Sequence, residues 1–373
     1  MPYAALSAVK HLVHPGHALP FNVRDADGLL LLARGIRIES QGQLEELFTR
    51  GALVDIAELK RAEPDIANAR RDELPALWSR CLAEAARTLA RADSTGFANA
   101  LDAAAAPVQT LIARDPDLAI FQVLRQVHND DIDYGAQRSL RTAITCALVA
   151  QRLGWDAAQT ERAFKVGLTM NISMLELQGQ LARQITAPTA QQLGLLRTHP
   201  MRSVRMLEQA GISDPLWLEG VLRHHECEDG SGYPSGCREP GDLASLARRA
   251  DNYTARLAGR VGRDAQAADR AGREMFVREP GNEMTAALVK EFGLYPPGCY
   301  VRLASGELAL VVARGPTITT PIVACLSNER GMPLPRPLRV TTDPRRRAVA
   351  AVVGERSLNV RLPLDRLLAA ILA

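Results

Sequence analysis

Residues 224–234 read His-His-Glu-Cys-Glu-Asp-Gly-Ser-Gly-Tyr-Pro, a vicinal histidine pair followed by a carboxylate and a glycine-rich turn. Two neutral imidazoles at a helix end can face one cavity only where the backbone leaves the regular helix. Gly230 and Gly232 permit that departure because glycine tolerates positive φ, and Pro234 prevents the helix from continuing. A capped helix end with two solvated histidines is the alternative, and it fits a lone histidine pair better than it fits this ordered segment. The segment therefore predicts one edge of a metal site.

The segment resembles the HHExxDGxGYP hallmark of the HD-GYP proteins, a bacterial branch of the HD metal phosphohydrolases that linearise cyclic di-GMP. Judged by spacing, the resemblance extends from about Ile120 to Leu294, roughly half of the chain. It implies a mainly α protein, with an HD-GYP-type helical bundle core flanked by small β-rich N- and C-terminal modules. It also implies that four metal-ligand positions are retained: His199, His224, His225 and Asp251.

Other positions of the family pattern hold residues that bind divalent metals poorly. Residues 167–175 stand where the family has Ala-Leu-Leu-His-Asp-Ile-Gly-Lys-Leu, so the resemblance places Met170 and Asn171 at the name-giving His-Asp. Met174 falls at the phosphate-facing lysine, and Arg138 falls where the first metal-binding histidine belongs. In this family the aspartate bridges two metals, whereas an amide carries no charge and a thioether is a soft ligand. We therefore expect these degenerate positions to prevent the two-metal cluster from assembling.

The alignment of this stretch depends on an apolar pattern. Leu168, Ile172 and Leu175 recur at i, i+4 and i+7, which is typical of the buried stripe of an amphipathic helix. The pattern predicts one continuous helix through residues 168–175, and that helix determines which faces the degenerate positions occupy.

The histidines that remain leave two alternatives open. His199, His224 and His225 can hold one divalent ion (Zn, Fe, Mn or Ni) with an open coordination position, as catalytic zinc sites do. Equally, they can persist as packed, hydrogen-bonded residues that bind no metal. Arg138 is permanently charged, and we expect it to pair with Asp251 in the cavity, because a buried carboxylate without a counter-charge costs several kcal/mol. The alternative places Arg138 in solvent.

The glycine-rich loop and two arginines supply further expectations. The resemblance implies that the loop is exposed, which predicts a surface for a signalling protein partner, although retention for the fold alone is the rival interpretation. Cyclic di-GMP is a candidate ligand, with Arg260 and Arg263 as candidate phosphate-binding residues. The predicted interaction loop comprises Asp229, Gly230, Gly232, Tyr233 and Pro234.

The composition favours a globular cytoplasmic protein. At 373 residues and 47% hydrophobic content, the chain is long enough for two or three domains with their own cores. No apolar run approaches the ~18 to 20 residues of a membrane span, and the N-terminus lacks a signal-peptide pattern. The six cysteines include no CxxC pair, which favours reduced thiols in the cytoplasm. A net charge of +3 is small for this length and argues against a dedicated nucleic-acid binder.

The first third of the chain predicts two modules. Residues 1–60 indicate a small β-rich N-terminal module, with a hairpin and a helix over residues 43–49. Residues 61–118 indicate a helical hairpin or linker, because apolar positions recur at helical spacing in two segments of it. An alanine-rich stripe in this segment would let helices of two chains approach closely as a homodimer, and burial against the chain's own core is the alternative.

The remainder predicts two more modules. Residues 119–295 form the degenerate HD-GYP helical domain that the resemblance implies. Residues 296–373 indicate a small β-rich C-terminal module. Its strands are predicted at residues 300–303, 308–312, 321–326 and 348–353, with a closing helix over residues 363–372.

Three functions fit these observations. The first is a degenerate HD-GYP protein that has lost phosphodiesterase activity and acts as a regulatory or protein-interaction module in cyclic di-GMP signalling. The second is an active cyclic di-GMP phosphodiesterase that uses a reduced metal site. The third is a structural scaffold that binds no nucleotide. Loss of several cooperating groups costs orders of magnitude in rate, so the residues favour the first.

Overall fold

The structure is a computed structural model that describes residues 3–7, 9, 13, 19–55, 58, 66–124, 131–259, 261, 265–354, 358 and 364–372. The chain divides into two compact units, Met1–Ala69 and Arg70–Ala373. The finer division into four modules at residues 60, 118 and 295 stays a prediction.

The first unit contains a small antiparallel sheet. Its strands have the order β1-β4-β2-β3, and Val23 pairs with Leu32 in the predicted hairpin. The hairpin turn is held by Asp25, whose Oδ1 accepts the Leu29 N–H at 2.8 Å. Ser40 caps the helix by accepting the N–H of Gln43. The elements are β1 (Tyr3–Ala5), β2 (Val23–Arg24), β3 (Leu30–Leu32), α1 (Gln41–Thr49) and β4 (Leu53–Asp55).

The second unit is a helical bundle followed by a second sheet. The two predicted apolar stripes of its first part are helices α2 and α3, which pack against each other. The long helix α5 lies at the centre of the bundle and packs against α6, α7 and α10. The helices are α2 (Leu74–Leu89), α3 (Phe97–Arg114), α4 (Pro116–Leu124), α5 (Asp131–Arg152), α6 (Ala157–Thr169), α7 (Leu175–Arg183), α8 (Ala190–Gln209), α9 (Pro215–Arg223), α10 (Asp242–Leu257), α11 (Ala268–Arg278) and α12 (Glu283–Phe292).

The prediction of a continuous helix through residues 168–175 is wrong. Helix α6 ends at Thr169, a short 3₁₀ turn covers Ile172–Met174, and α7 begins at Leu175. The apolar side chains of this stretch are buried as expected, but Ser173 binds a neighbouring helix, because its Oγ donates to the His199 carbonyl at 3.0 Å. Such local polar contacts override the helical pattern where the chain turns between two packed helices.

Glycines bring α5 and α7 into backbone contact. A Cβ built on Gly135 would lie 2.3 Å from the Leu175 carbonyl oxygen, and one on Gly179 would lie 2.2 Å from Asp131 Cα. Any larger side chain would force the helices apart. The glycines therefore determine where the side chains of α7 lie relative to those of α5.

The C-terminal sheet is antiparallel with strand order β8-β7-β6-β5-β9. Arg314 fastens it to the bundle through ion pairs with Asp117, at 2.6 Å, and with Glu291. Four strands and the closing helix agree with prediction, whereas β8 was missed. The elements are β5 (Tyr300–Leu303), β6 (Leu308–Ala313), β7 (Ile322–Ser327), β8 (Pro333–Thr341), β9 (Val349–Val353) and α13 (Leu364–Leu372).

The fold class agrees with the sequence-based expectation: the chain is mainly α, with small antiparallel sheets before and after the helical bundle in sequence. Among the helices that the structure describes, none is both long and apolar enough to cross a membrane.

Candidate functional site

Three histidines from two neighbouring helices converge in the bundle. His199 lies in the middle of α8, while His224 and His225 directly follow α9. One ligand nitrogen from each ring lies within 4.8 Å of those of the other two. The turn after α9 brings both rings of the vicinal pair to the same cavity, as the sequence predicts for this segment.

Backbone carbonyls orient two of the rings. His199 Nδ1 lies 2.6 Å from the Leu196 carbonyl oxygen, and His224 Nδ1 lies 2.7 Å from that of Val221. A carbonyl only accepts, so both Nδ1 atoms carry hydrogen and both Nε2 atoms present lone pairs. These Nε2 atoms lie 3.1 Å apart. Two facing lone pairs at this distance favour a cation between them, and ring orientation by carbonyls is typical of metal-binding histidines.

All three imidazoles are neutral at physiological pH. Burial lowers the pKa of His199 to about 3, and the neighbouring His224 adds to the effect. Burial likewise lowers the pKa of His224 and of His225 to about 3, and each is lowered further by an adjacent histidine. Neutral imidazole is the form that binds metal, so the donor set fits a divalent ion without prior loss of protons.

Arg138 and Asp251 form a bidentate ion pair beside the histidines. Arg138 Nη2 lies 2.9 Å from Oδ1 and 3.0 Å from Oδ2 of Asp251, and Arg138 Nε lies 3.3 Å from Oδ1. The two side chains are only 24% and 11% exposed. One turn further along both helices, the hydroxyls of Thr142 and Thr254 lie 3.1 Å apart. The predicted pairing is confirmed, and both oxygens of Asp251 are engaged by the guanidinium.

The positions that the resemblance assigns to His-Asp and lysine are buried. Met170, Asn171 and Met174 are all inaccessible or nearly so, and Met174 lines the cavity beside the histidines. Within the described part of the chain, Asn171 Oδ1 has no hydrogen-bond partner. These side chains present no charged group to the cavity.

Glu226 holds the loop that follows the histidines. Its fully buried carboxylate accepts the backbone N–H and the hydroxyl of Ser235, both at 2.7 Å, and the N–H of Cys237 at 3.0 Å. Burial alone would raise the pKa of Glu226, but these hydrogen bonds outweigh it and the pKa is lowered. We did not anticipate this role, although the carboxylate directly after the histidine pair was a visible signal.

The loop turns Tyr233 towards the histidines. Its ring stacks on that of His225 with centroids 4.5 Å apart and an interplanar angle of 19°. A Cβ on Gly232 would lie 2.4 Å from the Cys227 backbone nitrogen, so the loop can fold back this closely only with glycine there. Tyr233 is half-buried, whereas Asp229 and Pro234 are exposed.

A cavity of about 510 Å³ opens beside the histidines and the ion pair. Its polar lining includes Arg138, His199, His225, Asp251 and Gln178, and much of the remaining wall is apolar. Gln178 was absent from the sequence-based expectations. Arg260 and Arg263, the candidate phosphate-binding residues, lie outside the described residues.

Comparison with known proteins gives two related enzymes. No protein-family model matches the chain. Cyclic di-GMP phosphodiesterase PA4108 of Pseudomonas aeruginosa is 28% identical over 239 residues, which are 61% of this chain and 56% of the enzyme. Cyclic di-GMP phosphodiesterase PdeB of Borreliella burgdorferi is 25% identical over 104 residues, 28% of this chain and 27% of that protein. The chain thus spans about half the length of the first relative and less of the second.

Among solved structures, the chain resembles Bd1817, a HDG"Y"P protein from Bdellovibrio bacteriovorus, with a TM-score of 0.49 and 16% identity. The match covers 77% of this chain and 97% of Bd1817.

The likeness to the HD-GYP family rests on sequence. Residues 224–234 carry the segment that resembles the family hallmark, and the chain is similar in sequence to two cyclic di-GMP phosphodiesterases. The three histidines that the resemblance assigns to a metal lie close together in the bundle. In these residues the chain resembles the HD-GYP family.

Proposed function

We propose that this chain is a degenerate HD-GYP protein that binds cyclic di-GMP without hydrolysing it and acts as a regulatory or protein-interaction module in bacterial cyclic di-GMP signalling. The observation that carries the proposal is the bidentate Arg138–Asp251 pair. It places a permanent positive charge beside the histidines and occupies the carboxylate that the resemblance assigns to a metal. A second cation at this place would meet electrostatic repulsion, and its aspartate ligand is already engaged.

The positions assigned to the bridging group support the same conclusion. Asn171 offers a neutral amide and Met170 a thioether, and both are buried. A two-metal centre stabilises the attacking and leaving oxygens of an in-line displacement at phosphorus, and it needs a bridging ligand between the ions. Without an anionic bridge, we expect the pair of ions not to assemble.

At most one ion remains in the proposal. His199, His224 and His225 would hold it through the Nε2 side of the rings, since the carbonyl contacts of two rings direct their lone pairs inward. Zn, Fe, Mn or Ni all suit imidazole ligands. When bound, such an ion supplies Lewis acidity. The protein's own residues orient the rings and keep them neutral.

The ligand is proposed from the relatives and from the cavity. Both related proteins carry the name cyclic di-GMP phosphodiesterase. The cavity beside the histidines measures about 510 Å³, within the range of small-molecule sites, and combines an apolar wall with a few polar groups. Cyclic di-GMP therefore suits the cavity as a bound ligand.

We further propose that a signalling protein reads the state of this cavity through the hallmark loop. Tyr233 links the loop to the site, because its ring stacks on His225, and Asp229 and Pro234 are exposed. In a pull-down, Tyr233→Ala should reduce capture of the partner. If neither stability nor any interaction changes, the loop serves the fold alone.

An active phosphodiesterase with a reduced metal site is the second candidate. It is favoured by the orientation of His199 and His224, whose converging Nε2 atoms are arranged as metal ligands are. A single zinc ion that is held by three histidines and keeps an open position can be catalytic. Activity would then depend on that ion alone.

One preparation of the protein tests both candidates. Cyclic di-GMP is incubated with it in the presence of Mn²⁺, Fe²⁺ or Mg²⁺, pGpG is measured, and binding is measured by calorimetry on the same sample. We expect binding without turnover. Robust turnover with any of these ions would establish the second candidate. Absence of both binding and turnover would leave a scaffold that binds no nucleotide.

A further inference from the structure

Gln178 is a buried carboxamide on the wall of the cavity. It lies on α7, is 5% exposed, and lines the cavity beside Arg138 and the histidines. Within the part of the chain that the structure describes, neither Oε1 nor Nε2 of Gln178 accepts or donates a hydrogen bond. Buried polar side chains are almost always hydrogen-bonded, so an unpaired donor and acceptor together at a cavity wall indicate a missing partner.

The backbone prevents Gln178 from moving away from the cavity. The next residue, Gly179, contacts α5 so closely that a Cβ there would lie 2.2 Å from Asp131 Cα. One turn earlier on α7, the carbonyl of Leu175 contacts Gly135, which also lies on α5. Helix α7 is therefore held against α5 on both sides of Gln178, and the amide is preorganised for whatever enters the cavity.

The surroundings of Gln178 define the chemistry of that partner. Leu181, Ala182 and Leu196 provide an apolar wall, and Arg138 and His199 provide a polar end. A carboxamide presents an acceptor and a donor side by side in one plane. The complementary group is a planar edge with an adjacent acceptor and donor, as the O6 and N1–H of guanine provide. An apolar wall suits the face of the same base.

We propose that Gln178 recognises a guanine base of the nucleotide that occupies this cavity, with Nε2 donating to O6 and Oε1 accepting from N1–H. The proposal rests on the proposed function, in which cyclic di-GMP is the ligand, and adds the residue that selects the base. A site built around such hydrogen bonds rejects ligands that leave its polar groups unpaired.

The test compares Gln178→Met with Gln180→Met by calorimetric titration with cyclic di-GMP. Methionine keeps the volume of glutamine and removes both polar atoms. Gln180 is exposed on the same helix, and among the described residues its side chain bonds only to Glu176, through Nε2, so Gln180→Met is the matched control. We expect Gln178→Met to weaken binding about tenfold or more, while Gln180→Met binds like the wild type.

A second readout separates recognition from a structural role. In the ligand-free state, Gln178→Met should unfold at the same temperature as the wild type or higher, because it removes two unpaired buried atoms. If the amide instead held a structural water, the melting temperature would fall, and the proposal would be overturned. Should the variant fail to fold, a crystal structure of the wild type with cyclic di-GMP decides: a guanine edge within hydrogen-bonding distance of Gln178 supports the proposal, and a base elsewhere overturns it.

The outcomes for the two proposals differ. Wild-type binding of cyclic di-GMP with unchanged affinity in Gln178→Met overturns the role of Gln178 and leaves the proposed function standing. Failure of the wild type to bind cyclic di-GMP overturns both.

Discussion

Arg138 brings a permanent positive charge into a cavity lined by three neutral histidines. Arg141, one turn further along α5, is also buried, and burial lowers its pKa only to about 10, so it remains charged at neutral pH. Within the described residues no carboxylate forms an ion pair with Arg141, whereas Asp251 neutralises Arg138. The residues around the positions that the resemblance assigns to metals therefore carry a net positive charge, which suits an anionic ligand better than a pair of cations.

The ion pair itself should contribute to stability. Arg138→Met leaves Asp251 nearly buried without a counter-charge, and we expect a loss of about 2 kcal/mol or more in the free energy of unfolding. Adding Asp251→Asn should recover part of this loss. The double variant should then lose less free energy of unfolding than the two single variants lose together. Urea unfolding of the wild type, the two single variants and the double variant measures this double-mutant cycle. As a control, Arg270→Met breaks an exposed pair with Glu274 and should cost below about 0.5 kcal/mol. Additive effects at Arg138 and Asp251 would contradict the pairing.

The histidines make stability depend on pH. Their pKa values are about 3 in the folded protein against 6.5 for a free histidine, so the unfolded chain binds more protons between these values. Stability is fully present above pH 6.5 and falls as the pH drops towards 3, by at most about 1.4 kcal/mol per pH unit for each histidine. The urea midpoint should therefore fall between about pH 7 and about pH 5. His199→Gln should show a shallower fall, and an identical slope in that variant would contradict the assignment.

At the scale of elements, the position of α7 against α5 determines the cavity wall. Gly179→Ala would drive a methyl group into the backbone of Asp131, and we expect a loss of about 2 kcal/mol or more in the free energy of unfolding. We also expect weaker binding of any ligand that contacts Gln178. Gly194→Ala is the matched control, because Gly194 lies in helix α8 with nothing within 4 Å of an added Cβ. That change should stabilise the protein by up to about 1 kcal/mol. Thermal unfolding of the two variants measures the difference, and equal effects would show that the helices can separate freely.

Several elements followed from sequence patterns, and others did not. The apolar stripes of α2 and α3 and the hairpin turn at Asp25 indicated the correct structures, because local periodicity and turn chemistry decide them. Strand β8 was missed because Pro333, Pro335 and Pro337 argue against a strand, and they are tolerated there only because β8 is an edge strand. The break in the helix after Thr169 was missed because the spacing of Leu168, Ile172 and Leu175 is also that of an unbroken helix.

The site was predictable only in part for a similar reason. His224 and His225 are adjacent in sequence, but their approach to His199 followed from the family resemblance, since 25 residues of chain separate His199 from His224. The role of Glu226 could have been inferred from the sequence, because its carboxylate directly follows the histidine pair. Gln178 carried no such signal, because its polar atoms are notable only for finding no hydrogen-bond partner among the described residues, and that depends on how α7 packs.

At the scale of the whole molecule, the candidate site lies entirely within the unit Arg70–Ala373. That unit holds a cavity, oriented histidines and the hallmark loop, and Arg138, Met170, Asn171 and Met174 stand at positions that the resemblance assigns to groups of a two-metal site. We propose that such a chain keeps the means to bind a nucleotide and loses the means to cleave it. Binding energy is then free to shift the population of a signalling state.

The most direct test of this account is the number of metal ions per chain after reconstitution with Mn²⁺, Fe²⁺ or Zn²⁺ and removal of excess metal. A variant with Arg138→His, Met170→His, Asn171→Asp and Met174→Lys together serves as the comparison, and Arg138→His alone should behave like the wild type because Asn171 still lacks the bridging charge. The account predicts one ion or none in the wild type and two in the fourfold variant. Two ions in the wild type would contradict it.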